Sequence, residues 1–227
     1  MSIHDGHRAR MKTRFAEHGL DNFADVNVLE LLLFYAIPRG DTNPLAHRLF
    51  DRFGSLSAVF DASAEELQKV SGVGENTALL IKLIPQFSRR YMISRTSSDV
   101  ILESAKKVGE FLIPRFYAEQ SEVVYMLCLD AKYKLLDCRL LFRGGLNAAK
   151  IDVRKVVEHA IACNATNVVI SHNHTSGIAL PSHEDEETTR KIFRALAAVD
   201  IALTDHIIVA DDDFVSLADN GFFSKKG

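Results

Sequence analysis

Cysteine is scarce in this chain of 227 residues. There are three, Cys128, Cys138 and Cys163, and no pair of them has the spacing CxxC. An odd number of cysteines without that spacing argues against a disulfide framework and against a cysteine-based zinc site. Because Cys128 and Cys163 lie in apolar stretches of the sequence, we expect both to be buried and unreactive thiols.

Long apolar runs are also missing. No run approaches the roughly 20 residues that a helix needs to span a bilayer. The basic stretch at residues 1–15 lacks the apolar core and the cleavage site of a signal peptide. We therefore expect a cytoplasmic protein that does not contact membranes. The formal net charge of −3 does not by itself indicate binding to nucleic acid.

The residue patterns change around a polar stretch, SRTSS, at residues 94–98. Upstream, apolar residues recur at helical spacing and no alternating strand pattern occurs, which predicts an all-helical domain over residues 1–98. Downstream, helical segments mix with apolar strands such as EVVYMLCLD, NVVISHNH and IALTDHIIVA. This predicts an α/β domain with a mixed sheet over residues 99–227 and an α+β fold class for the whole chain.

A glycine turn, VSGVGENTA, joins two of the predicted N-terminal helices. Gly72 and Gly74 permit positive φ and let backbone NH groups approach a phosphate, while Ala78 allows close helix packing. A degenerate copy, IPRGDTNPLA, lies 32 residues earlier, with its matching glycine and alanine at Gly40 and Ala46. The repeat resembles the paired helix-hairpin-helix module of proteins that bind DNA without sequence specificity.

Two interpretations of this turn remain open. In the first, Gly72 and Gly74 contact DNA through their backbone, and Lys82 is one of the flanking cations. In the second, the turn only connects two helices. The second is favoured because the turn carries Glu75 and no lysine or arginine, whereas binding to phosphates needs nearby positive charge.

The most specific stretch of the chain is SHNHTSGIALPSHED, at residues 171–185. His172 and His174 lie on one face of a predicted strand, and Asp185 lies at the start of a helix. Two imidazoles and one carboxylate leave an open position on a tetrahedral Zn²⁺, and zinc lowers the pKa of a bound water to about 7. The competing interpretation needs no metal, because Ser182 is a natural N-cap and Asp185 can complete the cap.

This spacing resembles a known signature. His-x-His, seven residues, serine, two residues and aspartate is the pattern of the JAMM (JAB1/MPN) metalloproteases. The chain resembles the RadC family of bacterial JAMM proteins over nearly its whole length. The resemblance lies in the segments HNHTSG, PSHED and TDHIIVADDDFVSLADNG, and in GHRARMKTRF and VSGVGENTA in the first half. One position departs from the family, because Thr175 stands where proline is usual.

The resemblance implies a fold, a cofactor and a ligand set. The fold is a paired helix-hairpin-helix-like domain followed by a mixed-sheet JAMM/MPN domain of cytidine-deaminase-like architecture. The cofactor is Zn²⁺, held by His172, His174 and Asp185. Thr175 is not a ligand, so its departure from the family pattern leaves the expected metal site intact.

The resemblance also implies two catalytic roles. JAMM enzymes use an upstream glutamate as general base, and Glu122 is the natural match, although no spacing rule eliminates Glu119 or Glu158. Ser182 would hydrogen-bond the oxyanion of the transition state. Three other polar residues are expected to be structural or surface residues rather than ligands: His159, Asp205 and His206.

These observations predict a zinc-dependent hydrolase that acts on peptide or isopeptide bonds, with a protein or peptide substrate and a link to DNA repair that the family name implies. Two other functions remain open. One is an accessory repair protein that binds DNA through residues 1–98 and has a structural or vestigial metal site. The other is a metal-dependent nuclease that uses the same zinc site.

Overall fold

The structure is a computed structural model that describes residues 3–95, 99–144 and 151–224. The chain divides into two compact units, Met1–Ser88 and Arg89–Gly227. The sequence pattern put the boundary ten residues later, in the polar SRTSS stretch. A helical unit followed by a mixed-sheet unit confirms the predicted α+β fold class. Among the residues that the structure describes, no helix is long and apolar enough to cross a membrane.

The first unit is built from helices. They are α1 (Ile3–His18), α2 (Asp25–Ala36), α3 (Asn43–Phe53), α4 (Leu56–Asp61), α5 (Ala64–Gln68) and α6 (Glu75–Ser94), the last of which continues past the unit boundary. Most of their apolar positions form a core in which Leu29, Leu33, Leu49, Leu67 and Ile81 are fully buried, and a smaller cluster joins α1 to α2. Short helices such as α4 and α5 are not stable by themselves, so their helical structure depends mainly on burial of this apolar surface.

The two glycine turns of this unit have the same geometry. Six residues separate α2 from α3 (37–42), and six separate α5 from α6 (69–74). Gly40 and Gly72 both adopt positive φ, 90° and 97°, three residues before the next helix begins. The alanines that match in sequence, Ala46 and Ala78, are both buried. The chain therefore repeats the length of the turn and its left-handed glycine at an interval of 32 residues.

The second unit contains a five-stranded sheet with the order β2-β1-β3-β4-β5. Strand β1 (Val123–Leu129) is antiparallel to both β2 (Leu135–Arg143) and β3 (Asn167–Asn173). Strand β3 is parallel to β4 (Ala202–Ala210), which is antiparallel to β5 (Asp213–Ser216). The helices are α7 (Ala105–Phe116), α8 (Val153–Ala162) and α9 (His183–Ala197), with a final 3-10 turn at Phe222–Ser224.

Helices cover both faces of this sheet. Alternate residues of β1 and β3, such as Met126 and Ile170, pack against α8 and α9. The intervening residues, such as Leu127 and Val169, pack against α7. Every residue of β1 and of β3 is buried, which explains why both strands are continuous apolar runs in the sequence. The end of β3 carries the histidines of the candidate site.

Candidate metal centre

The two histidines of the HxH pair meet at the end of β3. Val168 and Ile170 lie on the sheet face that α8 and α9 cover, and side chains two residues apart share a face. His172 and His174 therefore lie on that face as well. Their Nε2 atoms are 2.9 Å apart. His172 is buried, whereas the side chain of His174 is 16 % exposed, so the pair opens to solvent on one side.

Asp185 reaches the same point from the first turn of α9. Its Oδ1 lies 3.2 Å from Nε2 of His172, and its Oδ2 lies 3.4 Å from Nε2 of His174. A capping box fixes this position: Ser182 Oγ accepts a hydrogen bond from the Asp185 NH, and the Ser182 NH donates to Asp185 Oδ2. The two sequence interpretations are thus compatible, because the cap that starts α9 also directs Asp185 towards the histidines.

A chain of hydrogen bonds fixes the tautomer of His172. The Thr189 hydroxyl donates to the Asp185 carbonyl over 2.6 Å, so Thr189 Oγ1 accepts from Nδ1 of His206, 2.5 Å away. Nε2 of His206 is then unprotonated and accepts from Nδ1 of His172 over 2.9 Å. In the neutral ring this places the proton of His172 on Nδ1 and leaves Nε2 as the free electron pair that a metal ligand requires.

The tautomer of His174 is fixed in the same way by a backbone acceptor. Its Nδ1 lies 3.0 Å from the Ile178 carbonyl oxygen, which can only accept, so Nδ1 carries the proton. When both rings are neutral, the Nε2 atoms of His172 and His174 present two lone pairs to each other, beside the Asp185 carboxylate. Three electron-pair donors at this separation repel one another unless a proton or a metal cation lies among them. The donor set therefore fits a metal ion.

The electrostatics of the site favour positive charge. The pKa of His174 is raised, chiefly because its charged form is hydrogen-bonded to Asp185. Burial acts to raise the pKa of the Asp185 carboxyl, but hydrogen bonds with His172 and His174 outweigh burial and hold that pKa well below its usual range. Burial lowers the pKa of His206 to about 3, so His206 is neutral and can accept the hydrogen bond from His172.

Glu122 lies beside the histidines because of the strand register. Strands β1 and β3 pair with Val124 opposite His172. Continuing this antiparallel register by two residues sets Glu122 opposite His174, on the same face of the sheet. Both residues line a cavity of about 320 Å³. The negative charge of Glu122 also contributes to the raised pKa of His174.

Asn173 holds the segment that carries Glu122. Its side-chain Oδ1 accepts from the Val123 NH over 2.8 Å, and its Nδ2 donates to the Ser121 carbonyl over 3.2 Å. The residues on both sides of Glu122 are thereby tied to the end of β3. Asn173 is itself buried. It is a positioning residue for Glu122.

The same cavity collects most of the residues that the sequence singled out. Its lining consists of Glu122, His172, His174, Thr175, Ser176, Ser182, Glu184 and Asp185. The Ser182 hydroxyl lies on this cavity and donates to Asp185 Oδ2 over 2.6 Å. The HxH histidines, the serine, the aspartate and the upstream glutamate therefore converge at one surface of the second unit.

The two competing glutamates lie elsewhere. The Glu119 carboxylate is buried and forms ion pairs with Arg89 and Arg143. Glu158 is on α8, where it pairs with Arg154 at 2.7 Å. Of the three glutamates that the sequence left open, Glu122 alone lines the cavity with the histidines.

His206, which the sequence predicts to be a structural or surface residue, lies next to the candidate site, where its Nε2 is 2.9 Å from Nδ1 of His172. Strand β4 is parallel to β3, with His206 opposite Ile170, so its ring comes to lie behind that of His172. Asp205 has a separate role, because its carboxylate accepts from Ser216 Oγ at 2.7 Å and from the Ala218 NH at 3.0 Å. No local sequence pattern marks His206, since the contact depends on the pairing of β3 with β4.

The residues proposed for DNA contact lie in the first unit. Gly72 has the left-handed φ of 97°, and an added Cβ would meet Arg48 Nη2 at 3.2 Å. Gly74 has no such strain, and a Cβ there would meet nothing within 4 Å. The Lys82 ammonium donates to the Phe60 and Asp61 carbonyls at 2.7 and 3.3 Å. Gly72 and Lys82 thus have clear structural roles.

Comparison with known proteins places the chain in a family. Residues 102–222 match the family described as the RadC-like JAB domain. A UPF0758 protein of Methylibium petroleiphilum is 35% identical over 212 residues, which cover 93% of this chain and 96% of that protein. A UPF0758 protein of Azotobacter vinelandii is 34% identical over 98% of this chain and 100% of its own length. With the candidate metal-binding group and the mixed sheet in place, this chain belongs to the RadC family of JAB-domain proteins.

Proposed function

We propose that this protein is a zinc-dependent hydrolase of the JAMM type that cleaves a peptide or isopeptide bond. His172, His174 and Asp185 would hold the zinc, because their tautomers and charges present two bare nitrogens and a carboxylate to one point. When bound, zinc supplies Lewis acidity that polarises the scissile carbonyl and acidifies a water. The observation that carries the proposal is that Glu122 and the three proposed ligands line one solvent-accessible cavity.

Glu122 is the proposed general base. As a carboxylate in the cavity, it takes a proton from the attacking water and later passes it to the leaving amine nitrogen. Asn173 keeps Glu122 at the end of β3 through its bonds to the flanking backbone. This arrangement restricts the motion of the base relative to His174, which favours proton transfer at a fixed distance.

Ser182 is the proposed oxyanion donor. Its Oγ atom is anchored by the Asp185 NH, while its hydroxyl hydrogen points at Asp185 Oδ2. Rotation about the Cβ–Oγ bond redirects that hydrogen into the cavity, towards the oxygen that becomes negative in the transition state. Such a donor stabilises the transition state more than the ground state, which raises the rate of the chemical step.

The proposal is tested with the full-length chain loaded with zinc. Quenched fluorescent peptides and isopeptide-linked peptides serve as substrates, and the zinc content is measured in parallel. Glu122→Gln should keep the zinc and lose at least about 100-fold in rate, as expected for removal of a general base. Glu158→Gln, a surface glutamate on α8, is the matched control and should keep full activity. Full hydrolysis by Glu122→Gln would show that the base is another residue.

A second candidate function is contact with DNA through residues 1–98. The observation that favours it is the repeated helix–turn–helix with a left-handed glycine in each turn. Binding of the full chain to duplex DNA, measured at several salt concentrations, tests it, because phosphate contacts make affinity fall steeply with salt. Cleavage of that DNA, if lost in Glu122→Gln, would instead identify the alternative nuclease. The absence of binding would leave the turns as packing elements.

A further inference from the structure

Four donor side chains meet on the sheet face under α8, away from the histidines of β3. Cys128 on β1 pairs across the strands with Asp137 on β2, and directly opposed residues share a face of the sheet. His159 and Cys163 lie one turn apart at the end of α8. Helix α8 packs on the face that carries Cys128. Strand pairing and helix packing therefore bring together residues that are far apart in the sequence.

The distances within this cluster are short. Cys163 Sγ lies 3.5 Å from Nε2 of His159, and that nitrogen lies 2.7 Å from Oδ2 of Asp137. The donor atoms of Cys128, His159 and Cys163 all lie within 4.8 Å of one another. In a tetrahedral zinc site, a sulfur and a nitrogen ligand are about 3.6 Å apart, given their usual bond lengths to zinc. Cys128, His159 and Cys163 already lie near that spacing. Asp137 reaches the group through His159, so its carboxylate would have to move closer to the two sulfurs to complete the site.

We propose that Cys128, Asp137, His159 and Cys163 form a second metal site, which takes Zn²⁺ or another borderline divalent cation through two thiolates, an imidazole and a carboxylate. Four protein ligands make the site closed, as structural zinc sites are. The ion would tie the edge strand β2 and helix α8 to β1. This inference does not depend on the proposed hydrolase function, because it uses none of the same residues.

The number of protons released on metal binding depends on whether the two cysteine thiols are protonated beforehand. Burial and the neighbouring Cys163 raise the pKa of Cys128 above its usual range, so this thiol is protonated in the absence of metal. Binding of one Zn²⁺ by two thiols releases two protons and leaves two Zn–S bonds. Two thiolates and a carboxylate then face the ion, and their three negative charges exceed its two positive charges by one.

Arg139 must move when the metal binds. Its Nη1 donates to Nδ1 of His159 over 2.8 Å, which keeps the ring proton on Nε2, beside Asp137. Ligation through Nε2 moves that proton to Nδ1, so the guanidinium has to turn away. Arg139 is exposed and lines, with His159, a surface cavity of about 600 Å³. The same cavity gives an ion a route to the cluster.

Sequence spacing could not reveal this site. The cysteines lack the CxxC pattern, the apolar sequence around Cys128 and Cys163 predicts unreactive thiols, and His159 is expected to be a structural or surface residue. Only His159 and Cys163 are close in sequence. The pairing of Cys128 with Asp137 follows from the register of β1 with β2, which no local motif encodes.

Cobalt titration of the full-length, metal-free and reduced chain tests the proposal. The ligands of the first site, His172, His174 and Asp185, include no sulfur. A thiolate-to-cobalt charge-transfer band in the near ultraviolet therefore reports the second site alone. We expect the band to saturate at one sulfur-bound cobalt per chain. It should be lost in Cys128→Ser and in Cys163→Ser.

Cys138→Ser is the matched control. Cys138 is adjacent to Asp137 in sequence but packs in the core on the opposite face of the sheet, so this variant should keep the full band. No charge-transfer band in the wild-type chain would overturn the proposal, as would a band that survives Cys163→Ser. X-ray absorption at the zinc edge of wild-type protein requires no variant, and it should show sulfur at about 2.3 Å. Scattering from nitrogen and oxygen alone would equally refute the site.

Discussion

His172 donates from Nδ1 to Nε2 of His206 over 2.9 Å, and His206 lies on the neighbouring parallel strand. Thr189 determines the direction of this bond. Its Oγ1 accepts from Nδ1 of His206, so Nε2 of His206 is left as the acceptor. This chain of hydrogen bonds therefore determines which nitrogen of His172 carries the proton and which one presents its lone pair to the cavity. Thr189, which does not line the cavity, thus determines the tautomer of the candidate ligand His172.

Replacing His206 should weaken zinc binding. In His206→Ala, Nδ1 of His172 loses its acceptor inside the protein, so the ring is no longer fixed in the tautomer that ligates. Loss of such a partner costs about 10–100-fold in metal affinity. Competition with a chromogenic chelator measures this change in Kd. The control is His183→Ala, because His183 is exposed on α9, and its zinc affinity should equal that of the wild type.

Replacing Asn173 should displace Glu122 without removing the metal ligands. Asn173→Ala loses the bonds to Ser121 and Val123 and leaves a buried NH and carbonyl without those partners. We expect the free energy of unfolding to fall by about 1–3 kcal/mol, with the zinc content unchanged. Urea unfolding and elemental analysis measure the two quantities. Loss of zinc from folded Asn173→Ala would contradict the role of Asn173 as a support for Glu122 alone.

The residues of the candidate metal site could be predicted from the sequence because their pattern is local. His172 and His174 share a face through the two-residue repeat of a strand, and the capping box places Asp185 at the start of the next helix. The internal repeat was visible for the same reason, since Gly40 and Gly72 mark equivalent turns. Short-range geometry is encoded in residue spacing, so reading it needs no knowledge of tertiary structure.

The remaining parts of the site depend on strand pairing. Glu122 was found only through resemblance, because its place opposite His174 follows from the register of β1 with β3. His206 was missed because it reaches His172 across the parallel pair β3 and β4. In both cases the partners are far apart in the chain, and a shift of register by one residue would turn either side chain to the other face of the sheet.

The capping box of α9 should have two separable effects. Ser182→Ala removes the N-cap and should lower the free energy of unfolding by about 1 kcal/mol. It also removes the hydroxyl that orients Asp185, so zinc affinity should fall by about 10-fold. Thermal unfolding and chelator competition measure these changes.

Ser63→Ala is the matched control for this cap. Ser63 forms the same kind of capping box with Glu66 at the start of α5, in the helical unit. Its loss should lower stability by a similar amount and leave zinc affinity unchanged. An equal loss of zinc affinity in both variants would mean that the effect of Ser182 is one of general stability.

The two glycines of the repeated turn should respond differently to alanine. Gly72→Ala forces a side chain into the left-handed region at φ 97° and against Arg48 and Leu45, so it should destabilise the protein by about 1 kcal/mol or more. Gly74→Ala meets open space and should leave stability unchanged within about 0.5 kcal/mol.

If the turn contacts DNA, Gly74→Ala should lower DNA affinity while the unfolding midpoint stays constant, because the added methyl group would lie where the backbone approaches a phosphate. Equal DNA affinity of the wild type and Gly74→Ala, both as folded full-length chains, would remove Gly74 from the DNA-binding residues.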